Sequence, residues 1–97
     1  MMDIIQNDMF ILNLKDILRY ISKDSKNRAK KFNTNLFKQI NNLINMPYKF
    51  RKSYYYDDEN IRDMVFKGYT IPYLIDTQKD TLVILDIFKY QHKNQTP

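Results

Sequence analysis

The sequence predicts an α+β fold: a short N-terminal strand, a helical hairpin, and a three-stranded antiparallel meander that forms a small sheet covered on one face by the two helices. Two patterns support this. Apolar residues in the first half recur at helical spacing, and those from Ile61 to Lys89 follow strand spacing. The only glycine, Gly68, lies between two of these strand patterns. The chain has 97 residues, so we expect one domain over residues 1–97.

The first half begins with a brief strand and an amphipathic helix. Residues 3–6 are short and partly β-branched, which favours a strand. From about Met9 the spacing becomes helical, and Asn7 or Asp8 can cap the first turn. The apolar stripe of this helix consists of Phe10, Leu14, Ile17, Leu18 and Ile21.

A polar turn at residues 22–25 precedes the second helix, which Asp24 or Ser25 can cap. Pro47 cannot continue a helix, so we expect this helix to end near Asn45. Its apolar stripe consists of Ala29, Phe32, Leu36, Ile40 and Leu43.

Residues 48–60 follow neither period and predict a long connection, a kind of loop that is often functional. The three strands after it are predicted over residues 61–67, 69–75 and 81–89, and the last is apolar enough to be buried on both faces.

Three residues within these strands have special requirements. Gly68 suits a tight turn or bulge with positive φ. Pro72 has no N–H, so its nitrogen should face an unpaired position or a bulge. Asp86 lies in the most apolar strand and needs a partner, for which Lys89, Arg62 or a backbone donor is available.

The composition excludes several classes of site. The chain has no cysteine, one histidine and one glycine, which leaves disulfides, thiolate zinc sites and Gly-rich phosphate loops without the residues they require. We expect neither a metal nor a cofactor. No apolar run is long enough to span a bilayer, so a cytoplasmic protein without membrane contact is expected.

The net charge is +5, which favours an anionic partner. Cations and phenols on the loop and strands can bind a nucleic-acid backbone and stack bases, or dock on an acidic protein. In the alternative interpretation the loop is an ordinary solvated one, neutralised by Asp57, Asp58 and Glu59, while Tyr54 to Tyr56 either cover the core or bind a ligand. The candidate contacts are Lys49, Arg51, Lys52, Arg62, Lys67, Lys89, Tyr90, His92 and Lys93.

The elements of the chain form an ordered combination: a short strand, a helical pair ending in LINMPYKFRKS, and the segments NIRDMVFKGYTIPYLID and LVILDIFKYQHK. In this combination the chain resembles the RelE/ParE superfamily of toxins, and more closely its ParE-like or plasmid-stabilisation branch. The resemblance implies a growth-inhibiting bacterial toxin that a cognate antitoxin neutralises. ParE-like members poison DNA gyrase through protein contacts, whereas RelE-like members are mRNA interferases that cut message on the ribosome.

The two branches imply different site residues. RelE-like chemistry would use Arg62, Lys89, Tyr90 and His92 as catalytic residues. In either branch Lys49, Arg51, Lys52, Arg62, Lys67, Lys89 and Lys93 would bind the target or nucleic acid. Ribonuclease members carry an arginine where this chain has Thr70, so the resemblance favours gyrase as the target, with the RelE-like activity as the alternative.

Overall fold

The computed structural model describes residues 2–89, and over that range the chain has the predicted α+β architecture. The strand, helical hairpin and meander are all present, which confirms the predicted fold class. In chain order the elements are β1 (Asp3–Gln6), α1 (Asp8–Asp24), α2 (Lys26–Asn42), β2 (Ile61–Phe66), β3 (Tyr69–Asp76), β4 (Thr81–Ile84) and β5 (Phe88–Lys89).

A single residue, Ser25, joins the two helices. Its backbone N–H donates to the carbonyl of Ile21 at 3.0 Å and ends α1. Its hydroxyl accepts from the N–H of Arg28 at 3.1 Å and caps α2, as one of the two predicted caps. Asn7 holds the N-cap position of α1 without a side-chain capping bond.

The second helix ends at Asn42, earlier than the predicted Asn45. Leu43 donates to the carbonyl of Ile40 at 3.1 Å, and Asn45 donates to that of Asn42 at 3.1 Å. Each of these bonds joins residues three positions apart, which is the spacing of a tight turn and not of an α-helix. The helix has therefore ended before Pro47, which could not continue it.

The strand order is β1-β4-β3-β2, with β5 paired to β3 beyond the end of β4. β2, β3 and β4 are antiparallel neighbours, which confirms the predicted meander. β1 lies parallel to β4, with Asp3 opposite Thr81. Parallel strands cannot be joined by a tight turn, and the helical hairpin forms part of the long connection between them.

The last predicted strand is two strands, because β4 ends at Ile84 and β5 begins at Phe88. The break lies opposite Pro72, whose carbonyl accepts from the N–H of Leu85 at 2.9 Å. A strand residue directs its N–H and C=O to the same side, so the proline nitrogen faces the break, as predicted.

The core lies between the helices and one face of the sheet. Fully buried side chains come from both helices and from β2, β3 and β4: Phe10, Leu36, Ile40, Met64, Ile71, Tyr73, Leu82 and Ile84. The prediction that the last strand is buried on both faces is wrong, since Val83 and Leu85 stay partly exposed. Their face of the sheet carries no helix.

Candidate functional site

The connection over residues 48–60 is held along the free edge of β2. Ser53 N–H donates to the carbonyl of Ile61 at 2.7 Å, and Asp63 N–H donates to that of Arg51 at 3.2 Å. Lys52 forms an isolated bridge with Arg62 between these two bonds. The loop that carries most of the predicted site residues therefore has a defined position beside the sheet.

Asp63 anchors this loop from β2. It is 1% exposed, and its carboxylate accepts from the hydroxyl of Ser53 at 2.7 Å and from the N–H of Tyr54 at 2.8 Å. A buried carboxylate is very costly without such donors, and here the loop supplies them. The sequence interpretation missed this residue, although an acid inside the apolar strand IRDMVF was a usable signal.

Arg62, predicted as a catalytic or target-binding residue, holds the same loop. Its Nη1 donates to the carbonyl of Phe50 at 3.1 Å and its Nε to that of Glu59 at 3.2 Å. The guanidinium carbon lies 4.9 Å from the ring centre of Tyr48. The side chain is 18% exposed, and two of its three nitrogens donate to the protein's own backbone.

Tyr73, opposite Arg62 on β3, fixes the start of the loop. Its hydroxyl donates to the carbonyl of Pro47. Burial raises the pKa of Tyr73 to about 12, and the nearby positive charge of Arg62 only partly opposes this shift. The phenol is therefore protonated at neutral pH and acts as a hydrogen-bond donor.

The remaining loop cations are also engaged within the loop. The ammonium of Lys52 lies 3.7 Å from the carboxylate of Asp57 and 3.9 Å from that of Glu59. The guanidinium of Arg51 lies 4.9 Å from the ring centre of Tyr54. We call Lys49, Arg51, Lys52 and Arg62 the loop cluster; its charges are compensated in part as the solvated-loop interpretation expects.

Lys67 and Lys89 lie at the other end of β3. Lys67 is in the turn between β2 and β3, and the ammonium of Lys89 lies 5.9 Å from the ring centre of Tyr69. Arg62 is opposite Tyr73 and Lys89 is opposite Tyr69, four positions apart, or about 13 Å along the strand. The structure therefore divides the predicted cations into two groups. Tyr90, His92 and Lys93 lie outside the described residues.

Tyrosines of the loop cover the sheet face that carries no helix. Tyr55 packs edge-on against Phe88 with ring centres 5.0 Å apart, and Phe88 pairs with Thr70. Burial is the main cause that raises the pKa of Tyr56, and two nearby carboxylates add to this shift. Thr70 is 1% exposed, so the position where the resemblance places a ribonuclease arginine lies inside the protein.

Asp86 is held mainly by a residue that was not predicted. Its Oδ1 accepts from the side-chain amide of Asn13 at 2.7 Å and from the N–H of Ile87 at 2.7 Å. The backbone donor was one of the predicted partners; the other two, Lys89 and Arg62, are wrong. Asn13 is 73 positions away in the chain, so only the fold brings it to the strand break.

Neither of the helices within residues 2–89 is long and apolar enough to cross a membrane. No group of three or more His, Cys, Asp or Glu side chains there is arranged to hold a metal ion.

Comparison with known proteins agrees with this architecture. Residues 4–92 match the family described as "ParE toxin of type II toxin-antitoxin system, parDE". A comparison with individual curated protein sequences finds no significant match.

Solved toxin structures have the same fold. In the chromosomal ParDE toxin–antitoxin system from P. aeruginosa, a chain matches with a TM-score of 0.73 and 15% identity over 94% of this chain and 98% of that one. The isolated E. coli RelE toxin matches with a TM-score of 0.65 and 9% identity over 97% of this chain and 89% of that one. The intact E. coli RelBE toxin–antitoxin complex contains a chain that matches with a TM-score of 0.66 and 9% identity over 95% of this chain and all of that one. Because the family match extends over nearly the whole sequence, the chain belongs to the ParE toxin family of type II toxin–antitoxin systems.

Proposed function

We propose that this toxin inhibits growth by acting on DNA gyrase through protein contacts, in the cytoplasm, and that a cognate antitoxin neutralises it. The observation that carries the choice of target is the position of Arg62, whose Nε and Nη1 donate to the carbonyls of Glu59 and Phe50.

Cleavage of an RNA phosphodiester needs cationic donors aimed at the charge that develops on the phosphate. Two of the donor atoms of Arg62 are directed at loop carbonyls, and Lys52 lies beside two carboxylates. Thr70 is buried, without a charge to contribute. Arg62 and Lys52 are thus engaged with groups of the protein itself. A toxin that acts through protein contacts requires no catalytic set, which favours gyrase over RNA.

The antitoxin part of the proposal is supported by the solved relatives. The P. aeruginosa structure is of a ParDE toxin–antitoxin system, and the E. coli RelBE structure is of a toxin–antitoxin complex. The same fold here favours a partner of the same kind, encoded in a reading frame beside this one.

The test is to titrate purified protein into gyrase supercoiling and DNA-cleavage assays. Inhibition at near-stoichiometric protein is expected, and co-purified product of the adjacent reading frame should relieve it. No effect at stoichiometric excess would rule out gyrase as the target.

A parallel assay with ribosome-bound mRNA examines the RelE-like alternative. Codon-specific cuts that disappear in Arg62→Ala, and persist in Lys38→Ala, would establish ribonuclease activity instead. Urea denaturation of both variants is needed, because loss of Arg62 also releases the loop it holds.

A further inference from the structure

We propose that the tip of the helical hairpin, together with the β2–β3 turn, binds single-stranded nucleic acid. The site, here the hairpin-tip cleft, has a volume of about 600 Å³. Its rim carries Lys23, Arg28, Lys31 and Lys67, and Phe32 forms part of its floor. The cleft is separate from the loop cluster, and the inference does not depend on gyrase being the target.

The charges of the hairpin-tip cleft are largely uncompensated. Residues 19–31 contain six Lys or Arg and one acid, Asp24. Asp24 pairs with Arg28 at 2.8 Å. Within the described residues, Lys23, Lys31 and Lys67 have no carboxylate partner, in contrast to Lys52 in the loop cluster. These ammonium groups are available to phosphates, which bind by displacing counterions.

Lys67 occupies a position that favours a different residue. Lys67 has φ 49 and Gly68 has φ 83, so the two form the type I′ turn between Phe66 and Tyr69. The first position of such a turn favours Asn, Asp or Gly, because other residues are strained at positive φ. The lysine keeps a charge at the rim of a cationic cleft in spite of this strained backbone conformation, which supports a functional use of that charge.

Aromatic rings extend the cleft into a track. Tyr20, 72% exposed, lines both the hairpin-tip cleft and a neighbouring groove of about 460 Å³ that also contains Tyr69 and Lys89. Cations and phenols therefore line the surface from α2 to β5, and among the described residues the one carboxylate lining the second groove, that of Asp16, pairs with Arg19 at 3.2 Å. Proteins that bind single strands combine a cationic groove with rings on which bases stack. An acidic polypeptide would use the same ammonium groups, but its carboxylates have no aromatic ring to stack on Tyr20.

The test is fluorescence anisotropy with labelled single-stranded DNA and RNA of about 12 nucleotides, the length of a typical binding site, over a range of salt concentrations. Tyr20→Ala should weaken binding by at least about fivefold, the lower end of the effect of losing one stacked base. Lys67→Asn should weaken binding and reduce the slope of log affinity against log salt by about 0.7, the value for one phosphate contact. The relative affinities for DNA and RNA identify which strand the site prefers.

Lys67→Asn also separates binding from folding. Asn fits the turn better, so the urea midpoint of the variant should stay the same or rise while its affinity falls. Lys38→Gln, which removes an exposed charge on α2 outside the cleft, is the matched control and should retain wild-type affinity.

Three results would overturn the inference. The first is that neither strand binds, or that Tyr20→Ala and Lys67→Asn bind both strands as the wild type does. The second is an equal loss in Lys38→Gln, which would indicate attraction by net charge alone. The third is tighter binding of a polyglutamate peptide of matched length than of either oligonucleotide, which would identify the cleft as a site for acidic polypeptide.

Discussion

Replacing Asp63 with Ala is expected to release the loop of residues 48–60 from β2. Asp63 is 1% exposed, and its carboxylate accepts from the Ser53 hydroxyl at 2.7 Å and the Tyr54 N–H at 2.8 Å. In the variant both donors lose their charged acceptor. The loop must then either leave these donors buried without a partner or detach and expose them to water.

The cost follows from the two hydrogen bonds. A hydrogen bond to a charged group contributes about 1.5–3 kcal/mol net, and removal of an unfavourably buried carboxylate offsets part of the sum. We expect Asp63→Ala to lower the free energy of unfolding by about 3–5 kcal/mol, a large part of the roughly 5–15 kcal/mol typical of a domain this size. Ser53→Ala removes the hydroxyl donor and retains the carboxylate, so it should cost less than half as much.

Urea denaturation followed by circular dichroism measures the global effect. The midpoint of Asp63→Ala should fall by roughly 2 M at the denaturant sensitivity usual for small proteins. Limited trypsin digestion measures the local effect, because the loop contains cleavage sites after Lys49, Arg51 and Lys52. An unchanged midpoint together with an unchanged digestion pattern would show that the carboxylate does not hold the loop.

Three further predictions concern the strands and the helix that packs on them. Gly68 has φ 83 and open space where a Cβ would lie. Gly68→Val should therefore lower the free energy of unfolding by about 1–2 kcal/mol through backbone strain alone, measured by urea denaturation. An unchanged midpoint would contradict the turn assignment. Burial raises the pKa of Tyr73 from 10.0 to about 12, so the folded state retains its proton more tightly, and this stabilisation is complete below pH 10 and lost as the pH rises to 12. Wild type should therefore lose about 2 kcal/mol more than Tyr73→Phe between pH 10 and 12, and equal losses would refute the assignment. Asn13→Ala leaves Asp86 without its side-chain donor and should lower the free energy of unfolding by about 1–3 kcal/mol, measured by thermal or urea unfolding. Asn13→Asp places two carboxylates together and should cost more. The reverse order would show that the amide is not the donor that stabilises Asp86.

Elements whose cause is local were predictable from the sequence. The helical stripes, the cap at Ser25 and the turn at Gly68 depend on neighbours within a few residues, and the structure confirms all three. The position of Pro72 opposite a break was also predictable, because the missing N–H is a property of the residue itself.

The division of the last strand was not predictable from its own apolar run. The break at residues 85–87 depends on which residue of β3 lies opposite, and that register exists only in the assembled sheet. Similarly, the bond between Asp86 and Asn13 joins residues 73 positions apart, which no local pattern reports.

The sequence by itself determined the order of the elements, the cationic character of the chain and its resemblance to the RelE/ParE toxins, because spacing, charge and residue type are carried by the chain alone. Only the tertiary structure decided which groups the candidate residues contact. Arg62 donates to the carbonyls of Phe50 and Glu59, and Asp63 accepts from Ser53 and Tyr54. These partners lie in a segment without periodicity, so the sequence pattern could not identify them. Packing also places Lys67 beside the helical hairpin rather than beside Arg62, and the geometry of charges, not their number, determines which of them are free to bind an anion.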